Sequence, residues 1–360
     1  MAADNDTLTA AARWGDAFTA PITPDTVAFQ TQDAAYTHHR KACDGSNDVT
    51  FHDLGVSEEE RPIYGVTAGD GPLHVSCIAG NHADEPVGPE TLRYLVDQLL
   101  STTPDTFWRT GIRWTIVPHT NPDGEARNQL WIEEWPSTES YLRHRVRELP
   151  GRDMEFGFPD MRQENEIVSD FLRVQGPFDA HLSAHGMGVA AGALLLIHPH
   201  WGYRTEALQT RYQTVVAEAG LGMHDHNRQG EKGFFWLGPG FATTPSGSGM
   251  RAYFHAQNDD EMASRFLDSS MEFVASLGGT PLSVVTELPL FVLDSAAPVG
   301  GPPPRYTDFK EALPRIQQEL KKHDTSDTID TFDLRPLPLH TAMQIQGHVI
   351  GGIVATCRAA

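Results

Sequence analysis

The sequence predicts an α/β protein built on a mixed, mostly parallel central sheet with helices on both faces. Three observations carry this. Short apolar or β-branched runs alternate with stretches of helical period from about residue 63 to residue 287. The apolar share, 39%, is enough for a globular core. A chain of 360 residues with no internal repeat also suits one such unit followed by a C-terminal extension.

Taken in order, residues 1–60 are polar and irregular, with a helix expected near 24–36. Residues 63–68 alternate, and Gly69-Asp70-Gly71 offers a hairpin-like turn into an apolar strand at 73–79. Leu92, Leu95, Val96, Leu99 and Leu100 then recur at helical spacing over 89–100, with Pro89 acceptable in a first turn. Residues 112–118 read as the next strand. The span 125–159 is charged and rich in Trp and Arg, and reads as an elaborated surface segment with a helix in it. Helices are expected over 164–174, 206–219 and 260–277, and strands over 180–184, 193–198 and 282–287. Between them, 220–249 is rich in Gly and aromatics and reads as a long loop region near a pocket. Pro-Val-Gly-Gly-Pro-Pro-Pro at 298–304 is a stiff linker leading to an amphipathic helix, 308–323. A strand-like tail at 343–354 follows, either an extra layer on the sheet or an oligomer contact.

A formal net charge of -21 argues against nucleic acid or an anionic membrane as partner, since both require a basic face. Cys43, Cys77 and Cys357 have no ligand-like spacing and suggest no disulfide framework. Residues 1–20 lack the plan of a secretory signal, and the longest apolar run, 189–197, is too short to span a bilayer. A soluble cytoplasmic protein is the expectation. No Gly-x-Ser-x-Gly elbow, phosphate-binding loop or dinucleotide fingerprint is present, which sets aside serine hydrolases, kinases and dehydrogenases.

Chemistry concentrates in a few turns. Gly80-Asn81-His82-Ala83-Asp84-Glu85-Pro86-Val87-Gly88 lies between a strand and a helix, so His82 and Glu85, three apart, can face one spot beyond a strand end. An imidazole and a carboxylate so placed are two-thirds of a catalytic zinc site. Phe178 to Gly188 offers His181 and His185 on one strand face; His185, directly before the glycines, is the one to reach that spot, and His181 lies deeper. Ligands on such sheets sit beyond the carboxyl ends of strands.

Four blocks in order, Gly-Asn-His-Ala-Asp-Glu-Pro-Val-Gly, Val-Pro-His-Thr-Asn-Pro-Asp-Gly, Ser-Ala-His-Gly and Val-Val-Thr-Glu-Leu-Pro, resemble the zinc carboxypeptidase superfamily, including its succinylglutamate desuccinylase and aspartoacylase-like branch. The resemblance covers roughly 63–292. It implies one zinc per chain held by His82, Glu85 and His185, with Glu287 as the general base that takes a proton from the attacking water. It also implies an arginine beside the scissile carbonyl, for which Arg127 is the first candidate and Arg143 or Arg145 the substitutes. Residues 1–60 then become an N-terminal extension packed on the domain, 61–297 the zinc hydrolase catalytic core, and 298–360 a C-terminal helix and strand extension.

One departure bears on the substrate. The family holds a terminal carboxylate with an Asn-Arg pair inside a block resembling Asp-x-Asn-Arg-x-Phe, and here Asp153-Met154-Glu155-Phe156 puts Glu and Phe at those positions. A carboxylate cannot bind a carboxylate, so that anchor is missing or moved. Asn121, Arg251 and Glu155 are the substrate-binding candidates; Arg251 would read an acidic group and Glu155 an amine. The implied activity is a zinc-dependent amide hydrolase of metallocarboxypeptidase type acting on a peptide or amino-acid conjugate. The alternatives are an N-acyl amino-acid deacylase and a catalytically silent zinc-binding module.

Overall fold

Among the described residues ten strands form one sheet: β1 (Val49–Val56), β2 (Pro62–Ala68), β3 (Leu73–Ala79), β4 (Ile112–Val117), β5 (Ala180–Ala190), β6 (Leu194–Ile197), β7 (Trp236–Gly238), β8 (Phe241–Thr243), β9 (Leu282–Val292) and β10 (Arg335–Pro336). Their order is β1-β2-β4-β3-β5-β9-β6-β8-β7, with β10 beside β9. The computed structural model describes residues 5–294, 300–323 and 325–360. The central strands β4, β3, β5 and β9 run parallel, and β1, β2 and β6 pair antiparallel around them. Every residue of β3 is buried, as a strand covered on both faces requires.

Helices cover both faces. On one lie Asn5–Thr19, Val87–Ser101, Glu206–Glu218 and Leu339–Ala359, which share a core with Val75, Cys77, Leu182 and Val284. On the other, Gln163–Gln175 and Ser270–Ser276 pack Val168, Phe171, Leu172 and Phe273 against Ile63, Ile78 and Val117. The mixed α/β class and the helices expected over 164–174, 206–219 and 308–323 are present, the last as Pro304–Lys322.

Several local expectations are corrected. Gly69 to Gly71 closes no hairpin: β2 pairs with β1 and β4, and β3 lies beyond β4. The chain instead crosses the start of β4 so closely that a Cβ on Gly69 would stand 2.4 Å from the Ile112 carbonyl oxygen, and one on Gly71 2.0 Å from Gly111. The helix expected near 24–36 is Gln32–Cys43, because Thr31 accepts from the Ala34 N–H and sets the start. The span 260–277 breaks into Asp260–Ala263 and Ser270–Ser276, each with its own cap, Asp259 and Ser269. The region 220–249 contains β7 and β8, which extend the sheet edge.

The largest correction is 343–354, which is helical, inside Leu339–Ala359. Gly347 and Gly351 bring this helix against Asn5–Thr19 so closely that a Cβ on Gly351 would meet the Trp14 ring at 2.8 Å, and one on Gly347 Phe18 at 2.9 Å. Residues Ile345 to Thr356 are all buried, so no polar stripe marks the helical period, and the β-branched content reads as strand. Residues 298 and 299 of the predicted linker lie outside the described residues. Among the described residues no helix is long and apolar enough to cross a membrane.

Candidate active site

The site forms where β3 ends and its neighbour β5 runs on. Ala79, the last residue of β3, pairs with Ala184 of β5, which runs on to Ala190 rather than stopping at 184. His185 is therefore the first residue of β5 to clear β3, and it lies in register with Glu287 on β9. The chain leaves β3 through Gly80, whose φ of +80° suits glycine and whose missing Cβ leaves room for the His119 ring, 2.4 Å from where that atom would stand. The turn then delivers His82 and Glu85 before the helix Val87–Ser101 begins.

The three side chains converge. His82 Nδ1 lies 3.0 Å from Glu85 Oε1 and 2.9 Å from His185 Nδ1, and His185 Nδ1 lies 2.8 Å from Glu85 Oε2. The far ring nitrogens face carboxylates: His82 Nε2 is 3.4 Å from Asp153, and His185 Nε2 is 2.8 Å from Glu155. That orientation frees both Nδ1 atoms for a shared cation, and an N, N, O donor set with carboxylates behind the imidazoles suits zinc. Burial works against protonating His82, yet Glu85 and Asp153 outweigh it and raise its pKa to about 9. His185 is raised in the same way by Glu85 and Glu155. The pocket thus favours positive charge at this spot. Burial, with the like charge of Glu85, pushes Glu287 up to about 7.

A cavity of about 490 Å³ opens over these groups. One wall is apolar, with Phe156, Met250, Phe254 and Phe266 packed together. Another carries Arg145, Arg147, Arg228 and Lys310. Tyr306, Phe309 and Leu313 of the helix Pro304–Lys322 also line the cavity, so this helix builds part of it.

His82, Glu85, His185 and Glu287 are brought together, and Glu155 and Arg145 line the same cavity; Arg127, Asn121, Arg251 and Arg143 fall elsewhere. Arg127 sits on an outward face of the helix Pro122–Glu133, paired with Glu59 and 3.8 Å from Glu148, outside the cavity lining. Asn121 is fully buried as the cap of that helix, accepting from the Gly124 N–H and donating to Glu148 at 2.9 Å. Arg251 donates to the Phe266 carbonyl at 3.0 Å and also lies outside the lining. Glu155 touches the cavity, but its oxygens are engaged within the protein. Oε2 faces Asn81, Ser183 and His185, and Oε1 accepts from the Ser270 N–H at 3.0 Å and hydroxyl at 2.6 Å. Burial alone would raise its pKa; His185, Ser270 and Asn81 hold it at about 2. Arg143 donates to the carbonyls of Leu320 and His323, which ties the helix Thr138–His144 to the end of Pro304–Lys322. His181 lies deeper, 2.8 Å from the Ser76 hydroxyl.

Sequence reasoning missed Arg147, whose guanidinium donates to Glu85 at 2.7 Å and to Asp84 at 3.1 Å. It is one of several arginines in a charged run, and only its place two residues past Arg145 could have drawn notice. Asp153 was quoted only as part of a block. Arg228, Tyr306 and Lys310 carry no local signal at all.

A family model described as zinc carboxypeptidase matches residues 39–181. The curated Zinc carboxypeptidase A 1 of Anopheles gambiae is 30% identical over 138 residues, which is 36% of this chain and 31% of that protein. The match spans less than a third of that relative. Among solved structures, carboxypeptidase A from Helicoverpa armigera superposes with a TM-score of 0.52 at 13% identity, over 98% of this chain and 82% of its own. The metallo-carboxypeptidase from Burkholderia cenocepacia gives 0.53 at 14% identity, over 90% and 69%. At such identities the likeness to these two structures concerns the fold.

Proposed function

We propose that the chain, which resembles zinc carboxypeptidases over residues 39–181, is a zinc-dependent amide hydrolase of peptidase type, with His82, Glu85 and His185 as the zinc ligands and Glu287 as the base. The observation that carries this reading is the meeting of those three donors with a neighbouring carboxylate in one cavity, His82 and Glu85 from the turn after β3, His185 from β5 and Glu287 from β9. Zinc, when bound, supplies Lewis acidity, which acidifies water and polarises an amide carbonyl.

The chain's own residues do the rest. Glu287 accepts the proton of the attacking water and passes it to the leaving nitrogen, so that one carboxylate serves first as base and then as acid. Among the described residues it accepts no hydrogen bond, which leaves its oxygens available. Arg147, held by Glu85 and Asp84, and Arg145, held by the Tyr141 hydroxyl at 3.1 Å, offer cationic donors toward a carbonyl oxygen that gains charge. These two replace Arg127 in that role. Asp153 and Glu155 orient the two imidazoles. The apolar wall takes a hydrophobic side chain.

A second reading, N-acyl amino-acid deacylation, is favoured by Glu155, which is committed to His185 where the family's carboxylate anchor would stand. Metal analysis of purified protein is expected to give one zinc per chain, and Glu287→Gln to retain it while turnover falls by about 10²–10⁴-fold. No zinc after reconstitution would refute the ligand set, and an active Glu287→Gln variant would refute the base. Parallel assays with C-terminally free peptides and N-acyl amino acids separate the two readings.

A further inference from the structure

Resting on that reading, we propose that Arg228 and Lys310 form an anion subsite, so that the enzyme acts on small amides that carry a carboxylate. The two residues come from distant parts of the chain, the loop before β7 and the helix Pro304–Lys322, yet both line the same cavity as Glu287 and His185.

Their partners are what distinguish them. The other cations of the lining are engaged: Arg147 with Asp84 and Glu85, Arg145 with Tyr141 and, at 3.8 Å, Asp84, and Lys232 with Glu231 at 3.8 Å. Among the described residues neither Arg228 nor Lys310 has a carboxylate within salt-bridge distance. The Arg228 guanidinium stacks 4.3 Å from the centre of the Phe234 ring, which holds it at the wall without neutralising it. Lys310 is exposed as a residue, and the charges that act on its amine are those of Arg145, Arg147 and Arg228. Partial desolvation and these guanidiniums push its pKa below the ordinary lysine value.

Same-sign clustering is unfavourable unless something of opposite sign completes it. In a chain with a formal net charge of -21, acidic residues abound, so leaving these two cations without one at a cavity wall is a specific arrangement. The carboxylates of the lining are Glu85, Asp153, Glu155 and Glu287, and none of them pairs with Arg228 or Lys310. A substrate carboxylate lying against Arg228 and Lys310 would hold its amide within the cavity that Glu287 and His185 also line. Glu155 and Phe156 cannot offer that anchor, for one is consumed by His185 and the other is part of the apolar wall. The carboxylate could belong to the leaving amino acid or to the acyl group; both present the same chemistry to these cations.

Binding of N-acetylphenylalanine and of its carboxamide to the zinc-loaded protein, measured by calorimetry at fixed ionic strength, tests this. The wild type is expected to prefer the acid by tenfold or more, and the preference to fall below threefold in the Arg228→Gln, Lys310→Met double variant. Because a carboxylate can also reach zinc, the comparison between proteins decides. Each single variant should lose part of the preference, which keeps the test valid if the double variant does not fold. Variants that retain the full preference, or a wild type that shows none, overturn the proposal.

Hydrolysis of a peptide with a free C-terminus, and of an N-succinyl amino-acid amide, locates the carboxylate on the amine or the acyl side; loss concentrated in KM in the variants is expected for whichever is cleaved. Acid-selective binding with no hydrolysis of either would refute the hydrolase reading and leave the subsite standing.

Discussion

Glu155 shows how far a residue's neighbours can redirect its role. By sequence it occupies a substrate-anchoring position and suggests an amine-bearing ligand. In the fold its carboxylate instead faces His185 Nε2 at 2.8 Å and is surrounded by Asn81, Ser183 and Ser270. Outer carboxylates of this kind fix the ring and raise ligand basicity. Glu155→Gln is therefore expected to weaken zinc affinity roughly 10–100-fold in a chelator competition. An unchanged affinity would show that the pair does not tune the metal. His82, Glu85, His185 and Glu287 were legible because each ends or borders a recognisable strand. Arg127, Asn121 and Arg251 were not, since which way a side chain leaves a helix or loop depends on packing that no short motif encodes.

Among the elements, the turn at the end of β3 is the most constrained. Gly80 combines a positive φ with the His119 ring in the space of its Cβ. Gly80→Ala should cost roughly 2 kcal/mol or more from backbone conformation and crowding together. Denaturant unfolding reads the loss, and because His82 lies two residues on, weaker zinc binding should accompany it. A variant of wild-type stability would mean that the turn relaxes. The helix Pro304–Lys322 was legible as a helix but not as a wall of the cavity, since its place depends on Arg143 reaching the carbonyls of Leu320 and His323. The helix Leu339–Ala359 was misread because complete burial erases the polar stripe on which helical periodicity rests.

For the molecule as a whole, stability should depend on pH through buried histidines. Burial lowers the pKa of His119 and His224 to about 4, and the Asn121 N–H donates to His119 Nδ1 at 3.1 Å, which holds that nitrogen unprotonated. Both are neutral in the fold, whereas the unfolded chain takes up protons below its ordinary histidine pKa, about 6.5. The contribution of these two histidines is thus fully present above that value and is lost as pH falls toward 4, by roughly 2 kcal/mol for each at pH 5. Thermal unfolding of the metal-free protein from pH 7.5 to 5 should show a falling Tm, and a flat profile would contradict it.

By itself the sequence determined the α/β class, the strand–turn–helix that presents His82 and Glu85, and the strands that carry His185 and Glu287. These are local matters of period, turn chemistry and strand ends. Only the tertiary structure decided which cations face the cavity, what Glu155 serves, and that a C-terminal helix closes one wall. Those depend on contacts between residues far apart in the chain, such as Arg143 with the carbonyls of Leu320 and His323. Side-chain direction and burial there follow from how elements pack, and no stretch of sequence contains both partners.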